Sequence, residues 1–287
     1  MNAGAFWLRV FAAALCVGGV MLDVAGAAAA EDVTPWDGDA RSSVRAIAGV
    51  VPAGSPHLRA GVEIRLARGW HTYWRYPGDS GVPPQFTFSG SSNVKQVDVL
   101  FPAPTRMADS GGTSIGYSAG VIFPLRVVPQ EAGKPVTLRL RLQYAICEKL
   151  CVPAEARGEL TLPSRASQDA ALSAAEGRVP KRLNVGEGGE LAIRSIRREP
   201  SGGQKGSQKE RVSVDVVGPA GVDLFVEGPD PQWALPVPTP VDGAPKGLRR
   251  FVFDLDGAPK GAAYRGALLT LTAVAPGRAI EVSSRLD

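Results

Sequence analysis

From Val136 to Tyr144 apolar and polar side chains alternate without a break, Val136, Leu138, Leu140, Leu142 and Tyr144 on one side against Thr137, Arg139, Arg141 and Gln143 on the other. A period of two predicts a half-buried strand. Short runs of the same kind recur at 43–50, 58–66, 85–88, 94–101, 121–128, 136–146 and 158–162, separated by Gly, Pro, Asn and Ser. Seven such runs fit an immunoglobulin-like β-sandwich. Between 163 and 185 the alternation gives way to a polar, Ala-rich stretch that predicts a short linker helix capped by Ser167. Alternation then resumes at 191–196, 211–217, 223–227, 247–255, 267–273 and 280–286. The expected fold class is therefore all-β, an immunoglobulin-like sandwich over 31–163, a linker over 164–186 and a second, smaller sandwich over 187–287. The stretch from Leu268 to Arg278 occupies the place that the strand and cysteines hold in the first half, so the second half reads as a degenerate repeat without cysteines.

The first thirty residues break the pattern differently. Arg9 precedes an apolar stretch that ends at Asp23, and Ala27-Ala28-Ala29-Ala30 follows, which reads as a secretory signal over 1–30. The expected product is exported. Removing Arg9 and Asp23 takes Lys+Arg from 32 to 31 and Asp+Glu from 28 to 27, so the formal charge stays at +4. The cations are spread along strand faces and not clustered with aromatics, which argues against a nucleic-acid partner. Cys16, in the apolar stretch behind Leu15, is expected to leave with the signal.

Export leaves Cys147 and Cys151, in Tyr144-Ala145-Ile146-Cys147-Glu148-Lys149-Leu150-Cys151-Val152-Pro153. Strand parity places Cys147 on the polar face. A fully extended chain would separate the two Cα atoms by roughly 13 Å, beyond the ~7 Å limit for a disulfide, so a bridge requires a turn here. The following run makes the pair the tip of an antiparallel hairpin and puts the thiols at an exposed end. In an oxidising compartment such a pair bridges unless something reduces it. A bridge over so short a loop contributes only about 2 kcal/mol, a weak reason for a purely structural staple. Three readings stay open on these residues: a redox pair, an inert hairpin disulfide in an interaction or chaperone-like module, and a copper-handling site. For the last, two thiolates with His57, His71 and Met107 are a thin ligand set. Lys149 favours a thiolate and Glu148 opposes it.

Further motifs narrow the choice. Gly69-Trp70-His71-Thr72-Tyr73-Trp74-Arg75-Tyr76-Pro77-Gly78-Asp79-Ser80-Gly81, then Phe101-Pro102-Ala103-Pro104, then Asp109-Ser110-Gly111-Gly112-Thr113-Ser114-Ile115-Gly116-Tyr117, then the cysteine segment, occur in that order. Together they resemble the periplasmic N-terminal domain of DsbD-type protein-disulfide reductases, in the ScsB-like branch linked with copper tolerance, over about 44–163. The resemblance implies a redox-active pair that relays electrons between a thioredoxin-like domain, or a membrane thiol reductase of the DsbD/CcdA type, and periplasmic disulfide-exchange clients, with no cofactor. By the same resemblance Cys151 forms the mixed disulfide and Cys147 resolves it. His71 and Tyr73 fall at family aromatic positions, and 107–117 at the cap loop, with Asp109 at its acidic position and Ser110, Gly111 and Gly112 where the family carries an aromatic. For Trp70, Tyr73 and Trp74 ordinary packing is an equal expectation. The family's best-known domain has five residues between its cysteines; here there are three. Full-length members continue into a membrane conduit and a thioredoxin-like domain, so electrons are expected from a separate protein, and the second half, without cysteine, is expected to be dispensable for exchange.

Overall fold

The structure is a computed structural model that describes residues 1, 31–79, 81–109, 112–200 and 210–287. The expected signal segment, Ser110, Gly111 and the glycine-rich loop at 202–207 lie outside the described residues. The first half forms eleven strands: β1 (Asp37–Gly38), β2 (Ser42–Ala48), β3 (Leu58–Leu66), β4 (His71–Gly78), β5 (Gln85–Thr87), β6 (Val94–Val99), β7 (Thr105–Asp109), β8 (Gly112–Tyr117), β9 (Val121–Pro129), β10 (Val136–Cys147) and β11 (Cys151–Leu162). They make two facing sheets, ordered β1-β2-β3-β9-β6 and β11-β10-β4-β8-β7, with β5 also paired to β10. The all-β, immunoglobulin-like expectation holds. Alternation is what closes this sandwich. On β10, Val136, Leu138, Leu140, Leu142 and Tyr144 are all buried and face Val62, Ile64, Phe123 and Leu125 of the opposite sheet's core.

A helix, α1 (Asp169–Glu176), follows. Ser167 is not its cap: the N-cap is Gln168, without a side-chain capping bond, and the Ser167 amide instead donates to Asp32. The helix is fixed from outside. Leu172 lies over Gly49 and Gly61, where a Cβ would come within 2.5 and 2.9 Å of it, and Arg59 pairs with Asp169 and Glu176, each at 2.7 Å.

The second half adds β12 (Lys181–Arg182), β13 (Ala192–Pro200), β14 (Glu210–Val217), β15 (Asp223–Glu227), β16 (Thr239–Val241), β17 (Arg249–Asp254), β18 (Leu268–Ala275) and β19 (Arg278–Arg285). Its sheets, β12-β19-β18-β15 and β13-β14-β17-β16, enclose a core that includes Val214, Phe251, Leu271 and Val282. The two sandwiches meet at a seam. Phe225 of β15 is buried with the first core, its ring 6.0 Å from that of Trp74 on β4.

Candidate functional site

β10 and β11 form an antiparallel hairpin whose register runs unbroken from Val136↔Leu162 to Cys147↔Cys151. The cysteines are its last cross-strand pair, joined as a disulfide with Cα atoms 4.2 Å apart across the turn Glu148-Lys149-Leu150. Pro153 is tolerated in β11 because β11 is the edge strand, where a missing N–H costs no ladder bond. The turn is solvent-exposed, and Leu150 is 79% exposed.

The two sulfurs have unequal surroundings. Cys151 is exposed, whereas Cys147 is only 3% exposed. Parity did place Cys147 away from the main core, but that face is not open at this end. The expectation that both thiols sit exposed is therefore corrected for Cys147. Here β4 pairs with β10, setting His71 opposite Cys147 and Thr72 opposite Ile146, and the Thr72 hydroxyl donates to the Ala145 carbonyl at 2.8 Å. Tyr73, Ala145 and Cys147 form a small apolar cluster of their own.

Tyr73 is fully buried, and its hydroxyl lies 2.8 Å from Cys147 Sγ and 3.1 Å from Cys151 Sγ. Neither sulfur of a disulfide carries a proton, so the phenol is the donor to both. The His71 ring stands edge-on to Tyr73, with centroids 5.5 Å apart. Gly81 backs the phenol ring: at φ 126° it holds a conformation that suits glycine, and a Cβ there would come within 2.3 Å of Tyr73 Cε1. Glu148 folds back over Gly69, its Oε1 3.1 Å from where a Cβ would stand, and Lys149 is exposed beside it.

The segment expected to form a cap is the β7–β8 hairpin, in which Asp109 is opposite Gly112. Asp79 ties it to the end of β4, since its amide donates to the Thr113 carbonyl and its carboxylate accepts from the Thr113 amide, both at 2.9 Å. At Gly116 the strands approach so closely that a Cβ would lie 2.0 Å from the Thr72 carbonyl oxygen. The Tyr117 hydroxyl donates to the Pro102 carbonyl, and burial pushes its pKa well up, so it stays a neutral donor.

Sequence reasoning thus found the cysteines, His71 and Tyr73 but missed Asp79 and Gly81 as parts of the same construction. Both lie in the motif 69–81, and the signal was the clustering of Gly and Asp just past an aromatic strand. Among the described residues no group of three or more His, Cys, Asp or Glu side chains stands close enough to hold a metal ion. No helix among them is long and apolar enough to cross a membrane.

Comparison with known proteins agrees with this geometry. A search of curated proteins returns no match. Among solved structures, the chain is similar to the N-terminal periplasmic domain of ScsB from Proteus mirabilis, at 20% identity and a TM-score of 0.65, covering 89% of this chain and 98% of that one. At that identity the likeness establishes the fold. The family model for the N-terminal region of thiol:disulfide interchange protein DsbD matches residues 48–163, which contain β4, the β7–β8 hairpin and both cysteines. Residues 48–163 are accordingly a DsbD-type N-terminal domain.

Proposed function

We propose that the chain is an exported, periplasmic thiol–disulfide exchange protein, relaying electrons through Cys147 and Cys151 between a thioredoxin-like domain or membrane thiol reductase and client proteins. The observation that carries this reading is the asymmetry of the pair: an exposed Cys151 bonded to a buried Cys147 whose sulfur lies against a phenol donor. A structural staple has no need of such a donor.

The chemistry follows from which sulfur can be reached. A partner thiolate attacks Cys151 Sγ, the Cys147–Cys151 bond breaks, and a mixed disulfide forms while Cys147 leaves as a thiolate. Tyr73, already 2.8 Å from that sulfur, donates its hydroxyl to the developing charge. The partner's second thiolate then attacks its own half of the mixed disulfide and releases Cys151. The partner ends oxidised to a disulfide and this protein ends as a dithiol, two electrons and two protons richer. Run in reverse with a client disulfide, the same steps pass the electrons on. His71 and Tyr73 wall the buried sulfur, and Asp109 and Gly112 belong to the hairpin that flanks them. The exchanging sulfurs lie in a first domain over 31–163, with 187–287 as a second domain.

The test uses reduced single-cysteine variants against a thioredoxin-like protein whose reactive cysteine is carried as a mixed disulfide with thionitrobenzoate, which leaves as the thiolate when the variant's cysteine attacks. C147S is expected to accumulate a mixed disulfide through Cys151, and C151S to trap at least about tenfold less, because its remaining sulfur is buried. Equal trapping by both variants would refute the assignment of Cys151 as the attacked sulfur, and no trapping by either would refute the exchange reading.

A further inference from the structure

β4 carries the residue that touches the disulfide, yet its own sandwich holds it incompletely. It pairs with β10 only at His71 and Thr72. Against β8 it pairs at Thr72 and Tyr73 and then not again until Gly78, which is opposite Ser114, so five residues of advance on β4 answer two on β8. Residues 74–77, directly after Tyr73, bulge out of the ladder.

The second sandwich takes up that bulge. Arg75 makes a two-pronged contact with Glu227 of β15, Nε to Oε1 at 2.8 Å and Nη2 to Oε2 at 2.6 Å, and its Nη2 also reaches Glu281 of β19. Burial works against its charge, but the two carboxylates outweigh burial and hold its pKa above the ordinary value. Its guanidinium also lies 4.3 Å from the Trp74 ring centroid. The Tyr76 hydroxyl donates to the Leu235 carbonyl, and burial pushes its pKa up to about 12. Two strands out, beyond β8, Arg106 of β7 grips Asp223 with Nε at 3.0 Å and Nη2 at 2.7 Å, and reaches the Pro238 carbonyl at 2.9 Å. At about 3.3 Å per residue, Arg75 lies roughly 7 Å along the chain from Tyr73.

From this arrangement we infer that Arg75 and Arg106 are positioning residues for the exchange site, and that Glu227, Glu281 and Asp223 of the second sandwich set, through them, how firmly Tyr73 covers Cys147. The second sandwich is then part of the redox machinery without contributing an atom to it. This rests on the exchange reading for its importance but not for its measurement.

The experiment is alkylation of the fully reduced, full-length protein by iodoacetamide, with every variant compared at the same alkaline pH so that a change in the labelling ratio reports access. The readout is the ratio of Cys147 to Cys151 labelling by mass spectrometry. The variants E227Q and D223N, alone and combined, alter only the second sandwich. The combined variant is expected to raise the ratio by about tenfold, since freeing two charge-assisted contacts shifts a local opening by at least that factor. V214A, which damages the second core at a fully buried position on β14, in the sheet that carries none of Asp223, Glu227 and Glu281, is the control and is expected to leave the ratio unchanged. An unchanged ratio in folded E227Q/D223N, or an equal rise in V214A, overturns the inference. Should the combined variant fail to fold, E227Q, which leaves Arg75 with Glu281, carries the same comparison. No partner protein enters this assay, so failure of the exchange reading is seen separately, in the mixed-disulfide trapping.

Discussion

A phenol has one proton to give, and at Tyr73 that proton lies between two sulfurs, nearer the buried one. A hydrogen bond to a charged group is worth about 1.5–3 kcal/mol against about 1 for a neutral acceptor, so the hydroxyl favours the leaving thiolate over the disulfide sulfur by about 1.3 kcal/mol. With about half of that expressed in the transition state, the effect is about threefold in rate. Y73F is therefore expected to slow reduction of the disulfide by dithiothreitol by about threefold at neutral pH, with the fold intact because the ring still fills its place beside Ala145. Stopped-flow reduction kinetics check this, and an unchanged rate would leave Tyr73 as packing alone. The sequence named Tyr73 through the aromatic motif around it, yet gave packing equal weight. A hydroxyl's partner depends on which strand lies across from it, and no alternation pattern in 71–78 reports that β4 runs beside β10.

At the scale of elements, the legible parts are those with strict alternation. β3 and β10 fall where the apolar period predicts them, because over most of each one face is buried and the other is not, and β15 is found from its short apolar run Leu224-Phe225-Val226. β4, β7 and β8 were not read as strands, and they are the elements that build the site. Their residues, His71-Thr72-Tyr73-Trp74-Arg75-Tyr76-Pro77-Gly78 in β4 above all, are buried on both faces or bulged, and so lose the period of two. β11 was read only from 158, since Pro153, Ala154 and Ala156 disguise its first half, although Ala156 is fully buried. The hairpin itself is well specified without its sulfurs: twelve register pairs precede or include the bridge, with Arg139–Glu159 and Arg141–Glu155 pairs along the exposed face. Reduction removes a cross-link over a very short loop, so the dithiol form is expected to be less stable by only about 2 kcal/mol and to remain folded. Urea unfolding of oxidised and reduced protein measures the difference. A reduced form that unfolds outright would assign the bridge to structure, since a carrier must survive both of its redox states.

Across the whole molecule, the second half was read as a cysteine-free repeat and expected to be dispensable for exchange. Nothing in its sequence marks the seam. Asp223, Glu227 and Glu281 look like solvated strand residues, and their partners Arg106 and Arg75 lie more than a hundred residues away. Phe225 gives the seam its apolar weight. Only 1% exposed, it packs on Trp74 and lies under the Arg106 guanidinium at 5.8 Å, so it belongs by contact to the first core while its strand belongs to the second sheet. Two sandwiches sharing a core residue and three half-buried ion pairs should unfold together, in one calorimetric transition, although many two-domain proteins do not. Truncating Phe225 removes a large buried ring from the contact between the cores, to which Val237 and Val274 also contribute. F225A is expected to lower stability by about 3 kcal/mol and to split the transition in two, the first sandwich and the second each melting on its own. Scanning calorimetry decides between the outcomes. Two transitions already present in the wild-type protein would mean that the seam is too weak to couple the halves, and the expectation of a dispensable second half would stand.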